Sequence, residues 1–152
     1  TLPGSTMKIT HKGDYALKAI LDLATNYDQG LVTIQAMAKR IDAPSKFLEQ
    51  VLLELKRGGF IQSQRGKVGG YKLSRPPKDI TLGQVIRFVD GPLEPIACIN
   101  ERYKGCDDLS RCVFRPVWQK VFQATSDIVD RITFEDLANK VKASNEAPTY
   151  FI

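Results

Sequence analysis

The chain has 152 residues, about one domain's worth, with 43% apolar and 26% charged residues, the balance of an ordinary globular protein. No apolar run approaches the roughly 20 residues needed to cross a bilayer, and no charged-then-apolar leader is visible, so membrane and secreted classes are not expected. The net charge of +5 is uneven, with +6 in residues 1–75 and −1 in the remainder, as for a polyanion-binding half joined to a neutral one.

Thr1 to Thr6 are expected to be a cloning remnant before a natural start at Met7. The first helix is predicted over residues 13–28, with Ala16, Leu17, Ile20, Leu21, Leu23 and Ala24 on its apolar face and Gly30 beyond its end. Thr33 is a candidate N-cap for a short second helix, Ile34 to Ile41. Asp42, Ala43 and Pro44 then turn the chain into a third helix, Ser45 to Arg57. Its inward residues are Phe47, Leu48, Val51, Leu52 and Leu55, and Lys56 and Arg57 suit the negative end of its dipole. Gly58-Gly59 stops it. Residues 60–64 and 71–74 read as two strands around the glycine-rich basic turn Arg65-Gly66-Lys67-Val68-Gly69-Gly70. This order, through residue 78, is that of a winged helix–turn–helix.

Residues 79–112 are expected to hold a linker helix, capped by Thr81 and running to Val89, and then a loop. Residues 113–143 contain a long amphipathic helix, about Val113 to Arg131, followed by a short one, Phe134 to Val141. Trp118, Val121, Phe122, Thr125, Ile128, Val129 and Ile132 recur every three or four residues on the long helix. So long a stripe suits pairing with a second copy of the chain. Residues 144–152 form a tail ending Tyr150-Phe151-Ile152. The fold class is therefore mainly α with a small β-hairpin wing and a dimerisation helix.

In such a domain the third helix reads the major groove of double-stranded DNA. Ser45, Lys46, Glu49 and Gln50 are its exposed leading residues. Gln can bond adenine bidentately and Glu can accept from cytosine N4. Arg65 and Lys67 on the wing are candidates for a minor groove, and Lys8, Lys12, Lys39 and Lys72 for phosphates. The plainer alternative is a solvated basic surface.

All three cysteines, Cys98, Cys106 and Cys112, fall in one window of 15 residues, spaced C-x7-C-x5-C. Three soft thiolates on one loop suit an iron–sulfur cluster or another thiophilic metal. An odd cysteine count argues for a reducing compartment, so a cytoplasmic location is expected. No nucleophile triad, metal-hydrolase spacing or phosphate-binding glycine loop is present, and an enzyme is not expected.

The run Met7-Lys8-Ile9-Thr10-His11-Lys12-Gly13-Asp14-Tyr15-Ala16-Leu17 resembles the opening of the Rrf2 family of bacterial transcription regulators. The likeness continues through Phe47-Leu48-Glu49-Gln50, Gly58-Gly59, Ile61, Ser63, Arg65-Gly66, Gly69-Gly70-Tyr71, Ile80-Thr81-Leu82-Gly83 and Asp90-Gly91-Pro92. It implies a homodimer that uses Glu49, Gln50 and Arg65 on DNA. The cysteine triplet matches the cluster loop of the IscR-, NsrR- and RirA-like branches, which the CymR-like branch lacks. The resemblance thus implies a cluster on Cys98, Cys106 and Cys112, 4Fe–4S in preference to 2Fe–2S. Where IscR-like members place a histidine ligand this chain has Arg115, whose guanidinium stays protonated. Asp14 stands where NsrR-like members draw a ligand from the partner subunit; His11 and Glu101 are further candidates. Two functions follow: a DNA-binding regulator, expected to be a repressor, switched by the cluster; or a thiol- or zinc-based regulator of cysteine metabolism. In the second, Tyr150, Phe151 and Ile152 would dock on cysteine synthase.

Overall fold

A computed structural model describes residues 8–100, 102–107 and 109–146. Helix α1 (His11–Thr25) starts two residues before the expected point, because the Thr10 hydroxyl caps it by accepting from Gly13 N at 3.0 Å. It also ends earlier. Thr25 Oγ1 donates to Leu21 O and Asn26 Nδ2 to Asp22 O, both at 2.8 Å, and a short 3-10 turn (Tyr27–Gln29) leads to Gly30. These side chains compete with the backbone for the last carbonyls and close the helix.

Helix α2 (Ile34–Ile41) is capped by Thr33, whose hydroxyl accepts from Ala36 N at 3.2 Å. Asp42 takes the left-handed conformation at φ 52° and turns the chain toward α3 (Ser45–Arg57). The inner face of α3 buries Leu48, Val51, Leu52 and Leu55. Each such side chain contributes about 1.5–3 kcal/mol by leaving water.

Strands β1 (Ile61–Gln64) and β2 (Gly70–Leu73) pair antiparallel, from Ile61 opposite Leu73 to Gln64 opposite Gly70. The hairpin is also tied to the approach to α2: Val32 N donates to Tyr71 O at 2.9 Å and Tyr71 N to Val32 O at 2.8 Å. The wing is thereby fixed to the helix–turn–helix on two sides.

Helix α4 (Leu82–Asp90) opens with a capping box in which Thr81 and Gln84 satisfy each other's backbone N–H groups. Helix α5 (Arg115–Arg131) starts two residues later than expected, with Pro116 in its first turn, where a missing N–H costs nothing. Helix α6 (Phe134–Glu146) runs five residues past the expected Val141.

Helix α1 is the hub, packed against α2, α3, α4, α6 and β2. Fully buried Phe134 plugs the centre. Its backbone N donates to Ile80 O at 2.9 Å, while Leu82 N donates to Ile132 O at 2.9 Å. The α5–α6 corner is therefore fastened to the start of α4. Beyond that corner α5 packs against α4 and the short 3-10 turn at Ala97–Ile99, with Ser126 as its one buried residue.

Candidate nucleic-acid interface and cysteine loop

The turn before α3 and the short α2 leave the outer face of α3 open. Ser45, Lys46, Glu49 and Gln50 are all exposed on it. The wing stands beside this face. Glu49, Leu53 and Lys56 of α3 form one wall of a groove of about 380 Å³, and Ser63, Gln64, Arg65, Gly70 and Tyr71 form the other. Arg65 also borders a second groove against Thr33, Ile34 and Gln35 at the start of α2. The tip turns tightly: Gly66 has φ 119°, and a Cβ on Gly69 would collide with the Gln64 carbonyl oxygen. Arg65 and Lys67 are exposed there.

Of the expected phosphate contacts, Lys8, Lys39 and Lys72 are exposed. Lys12 is half-buried and its Nζ lies 3.3 Å from Glu54 Oε2, bracing α1 against α3. Leu53, Lys56 and Ser63 belong to the same groove as Glu49 and Arg65 but were not read from the sequence as DNA contacts. The signal for Leu53 was available: an apolar residue one turn beyond Glu49, on the polar side of the helix.

A bidentate pair holds the helix–turn–helix frame. Arg40 Nε and Nη2 donate to the two carboxylate oxygens of buried Asp22 at 2.7 and 2.8 Å, joining α2 to α1. The Asp22 hydrogen bond raises the Arg40 guanidinium above its ordinary range, so the charge on this side is permanent.

Asp14 sits in the first turn of α1, half-buried, with Lys18 Nζ at 2.7 Å from its carboxylate. That hydrogen bond holds the Lys18 ammonium above the usual lysine range. Asp14 lines an open cleft with Lys8, Ile9, Thr10 and His11. The end of α4 closes on the same place: Asp90 accepts from Thr10 N at 3.1 Å and from the Thr10 hydroxyl. Gly13 makes room, since a Cβ there would lie 2.8 Å from Asp90 Cγ. The start of α1 is thus latched to the residue from which the cysteine loop departs.

In that loop, Leu93 and Ile99 are buried anchors, with a short 3-10 turn over Ala97–Ile99. All three cysteines are free thiols; Cys98 and Cys112 are half-buried and Cys106 is exposed. Arg115 Nε donates to the Cys98 carbonyl oxygen at 3.1 Å and fastens the loop to the first turn of α5. Arg115 therefore has a structural partner at the place where a ligand was sought. Among the described residues no three His, Cys, Asp or Glu side chains are gathered closely enough to hold a metal. The donor set nonetheless fits an iron–sulfur cluster chemically: three unbonded soft thiols, none locked in the core, on one loop. Holding one requires the loop to bring the three thiols together. Glu101, Tyr150, Phe151 and Ile152 lie outside the described residues.

A helix–turn–helix with its reading helix uncovered and a basic wing alongside defines a winged-helix DNA-binding transcription regulator. The chain matches the Rrf2 family, described as iron-dependent transcriptional regulators, over residues 9–140, and it belongs to that family. A putative rrf2-like transcriptional regulator of Rhodobacter capsulatus is 38% identical over 85% of this chain and 91% of the relative. The regulator CymR of Bacillus subtilis is 30% identical over 96% of this chain and all of the relative. Among solved structures, T. potens IscR superposes with a TM-score of 0.74 at 30% identity, covering 94% of both chains. These relatives are transcriptional regulators and not enzymes. Among the described residues no helix is long and apolar enough to cross a membrane.

Proposed function

We propose that this regulator binds operator DNA as a homodimer and that its affinity is switched by an iron–sulfur cluster held by Cys98, Cys106 and Cys112. The observation that carries this reading is the cysteine loop itself: every thiol of the chain lies there, unpaired, between the DNA-binding half and the long helix. Likeness to an IscR supports it.

Helix α5 and the two residues before it present Val113, Phe114, Val117, Trp118 and Ile128 to solvent, apolar surface that a second copy would cover. In the dimer, α3 of each chain enters a major groove, with Glu49 and Gln50 at base edges, and Arg65 enters the neighbouring minor groove. Ser45, Lys46, Lys67, Lys8, Lys39 and Lys72 serve the backbone. Asp14 of the second copy is the proposed fourth ligand, and to serve it must leave Lys18. When bound, the cluster supplies soft iron sites that oxygen or nitric oxide can attack. The chain's part is to tie the loop to the partner's α1, and so to fix the separation of the two reading helices. Half-site spacing on a duplex tolerates little error.

Anaerobic reconstitution with iron and sulfide tests this reading. The expected product is coloured, with stoichiometric iron and sulfide lost in the triple Cys→Ala variant. A colourless, iron-free product contradicts it.

Likeness to CymR favours a second reading, a thiol- or zinc-based regulator of cysteine metabolism; the solved B. subtilis CymR is described as that organism's global cysteine regulator. Three thiolates and one carboxylate also suit zinc. A colourless protein with one zinc per chain after the same treatment selects this second reading.

A further inference from the structure

Lys56 and Ser63 belong to neither the base-reading residues nor the phosphate contacts named above. Lys56 lies in the last turn of α3, Ser63 lies on β1, and Lys56 Nζ donates to Ser63 Oγ at 2.7 Å. Among the described residues no carboxylate pairs with Lys56; Glu54, two residues earlier, is engaged by Lys12. An ammonium has three donors and spends one here, while the accepting hydroxyl keeps its own proton to give. The donors that remain converge on the groove between α3 and the wing.

We propose that Lys56 and Ser63 form a phosphate clamp for the DNA strand that passes between the recognition helix and the wing. On any duplex one sugar–phosphate strand separates a major groove from the adjacent minor groove. With α3 in the first and Arg65 in the second (the docking proposed above, on which this inference rests), that strand crosses the 380 Å³ groove. A phosphodiester is an anion that only accepts hydrogen bonds, and Lys56 and Ser63 offer it a charged and a neutral donor side by side. Glu49, on the same wall, repels phosphate and directs it toward the Lys56 end. Leu53, half-exposed between them, presents an apolar surface suited to deoxyribose or a thymine methyl. The bond between the two side chains exists before DNA arrives, so little freedom is lost on binding. The clamp positions the strand and carries no sequence information itself.

The test uses the full chain and a duplex of about 30 base pairs recovered by selection on the wild-type protein. Binding is titrated across salt concentrations for wild type, K56Q, K56R and S63A. It is repeated with a neutral methylphosphonate at each backbone position in turn. K56Q should bind about tenfold more weakly, with unchanged sequence preference. Its slope of log affinity against log salt should shrink by about 0.9, the share of one phosphate. K56R should keep the wild-type slope. S63A should lose about threefold with no change of slope. One methylphosphonate should reproduce the K56Q loss on wild type and cost nothing more on K56Q. An unchanged slope for K56Q, or losses that add at every phosphate, overturns the clamp if E49A and R65A still weaken binding. If E49A and R65A bind like wild type, the docking fails and the clamp with it.

Discussion

Replacing Arg40 by Met should destabilise the helix–turn–helix far more than replacing its partner. Asp22 is almost wholly buried, with 8% of its side chain exposed, whereas 44% of Arg40 is exposed. In R40M a carboxylate loses two charge-assisted hydrogen bonds, at 2.7 and 2.8 Å, while remaining largely enclosed. Breaking a fully buried pair from one side costs about 3–5 kcal/mol, and water reaching the vacated Arg40 side reduces this to about 2–3 kcal/mol. For a chain of this size that is a fall of roughly 4–12 °C in melting temperature. In D22L the freed guanidinium turns to solvent, so the cost should be about 1 kcal/mol. D22L/R40M should be more stable than R40M alone, because the stranded charge is gone. Calorimetric or denaturant unfolding of the four proteins measures this. If R40M and D22L cost the same and their effects add, the pair is an ordinary surface contact and the reasoning fails.

Gly13→Ala should cost about 1–3 kcal/mol, because its methyl displaces the Asp90 carboxylate from Thr10; adding D90A should relieve part of that cost, as denaturant midpoints would show. Trp118→Glu on the exposed stripe should shift the protein toward monomer. A symmetric interface meets the change twice, at about 2 kcal/mol each, so the dimer dissociation constant measured by sedimentation should rise about 1,000-fold. Arg87 donates to Asp130 at 2.5 and 3.0 Å, and this hydrogen bond holds the Asp130 carboxyl below its ordinary 3.8. A depressed folded-state value means the stabilisation is present above pH 3.8 and is lost as pH falls through the lower folded value. R87M should therefore be less stable than wild type at pH 7, with the gap narrowing below pH 3.8 in urea titrations.

The helix–turn–helix was legible because its signals are local. Thr33 three residues before Ala36, and the helical spacing of Leu48, Val51, Leu52 and Leu55, locate α2 and α3 without tertiary help. The start of α1 was placed two residues late because the Thr10 cap was not read from the sequence; Gly13, in the first turn, is the close approach that Asp90 needs. The extension of α6 went unseen because Lys142 to Glu146 carry no apolar periodicity, and the first proline after them is Pro148. The contacts of Lys56 with Ser63 and of Lys12 with Glu54 were not legible, since these residues become neighbours only on folding. The cysteine spacing announces metal chemistry, but a loop of Gly, Pro and Asp encodes no arrangement of its sulfurs.

Operator affinity of wild type and of the triple Cys98→Ala, Cys106→Ala, Cys112→Ala variant, under anaerobic, aerated and nitric-oxide-treated conditions, tests the central claim most directly. Wild-type affinity should change by at least tenfold between the anaerobic state and the other two, and the variant should stay at one value throughout. Equal affinities for both proteins in all three conditions would show that the sulfur loop does not govern DNA binding.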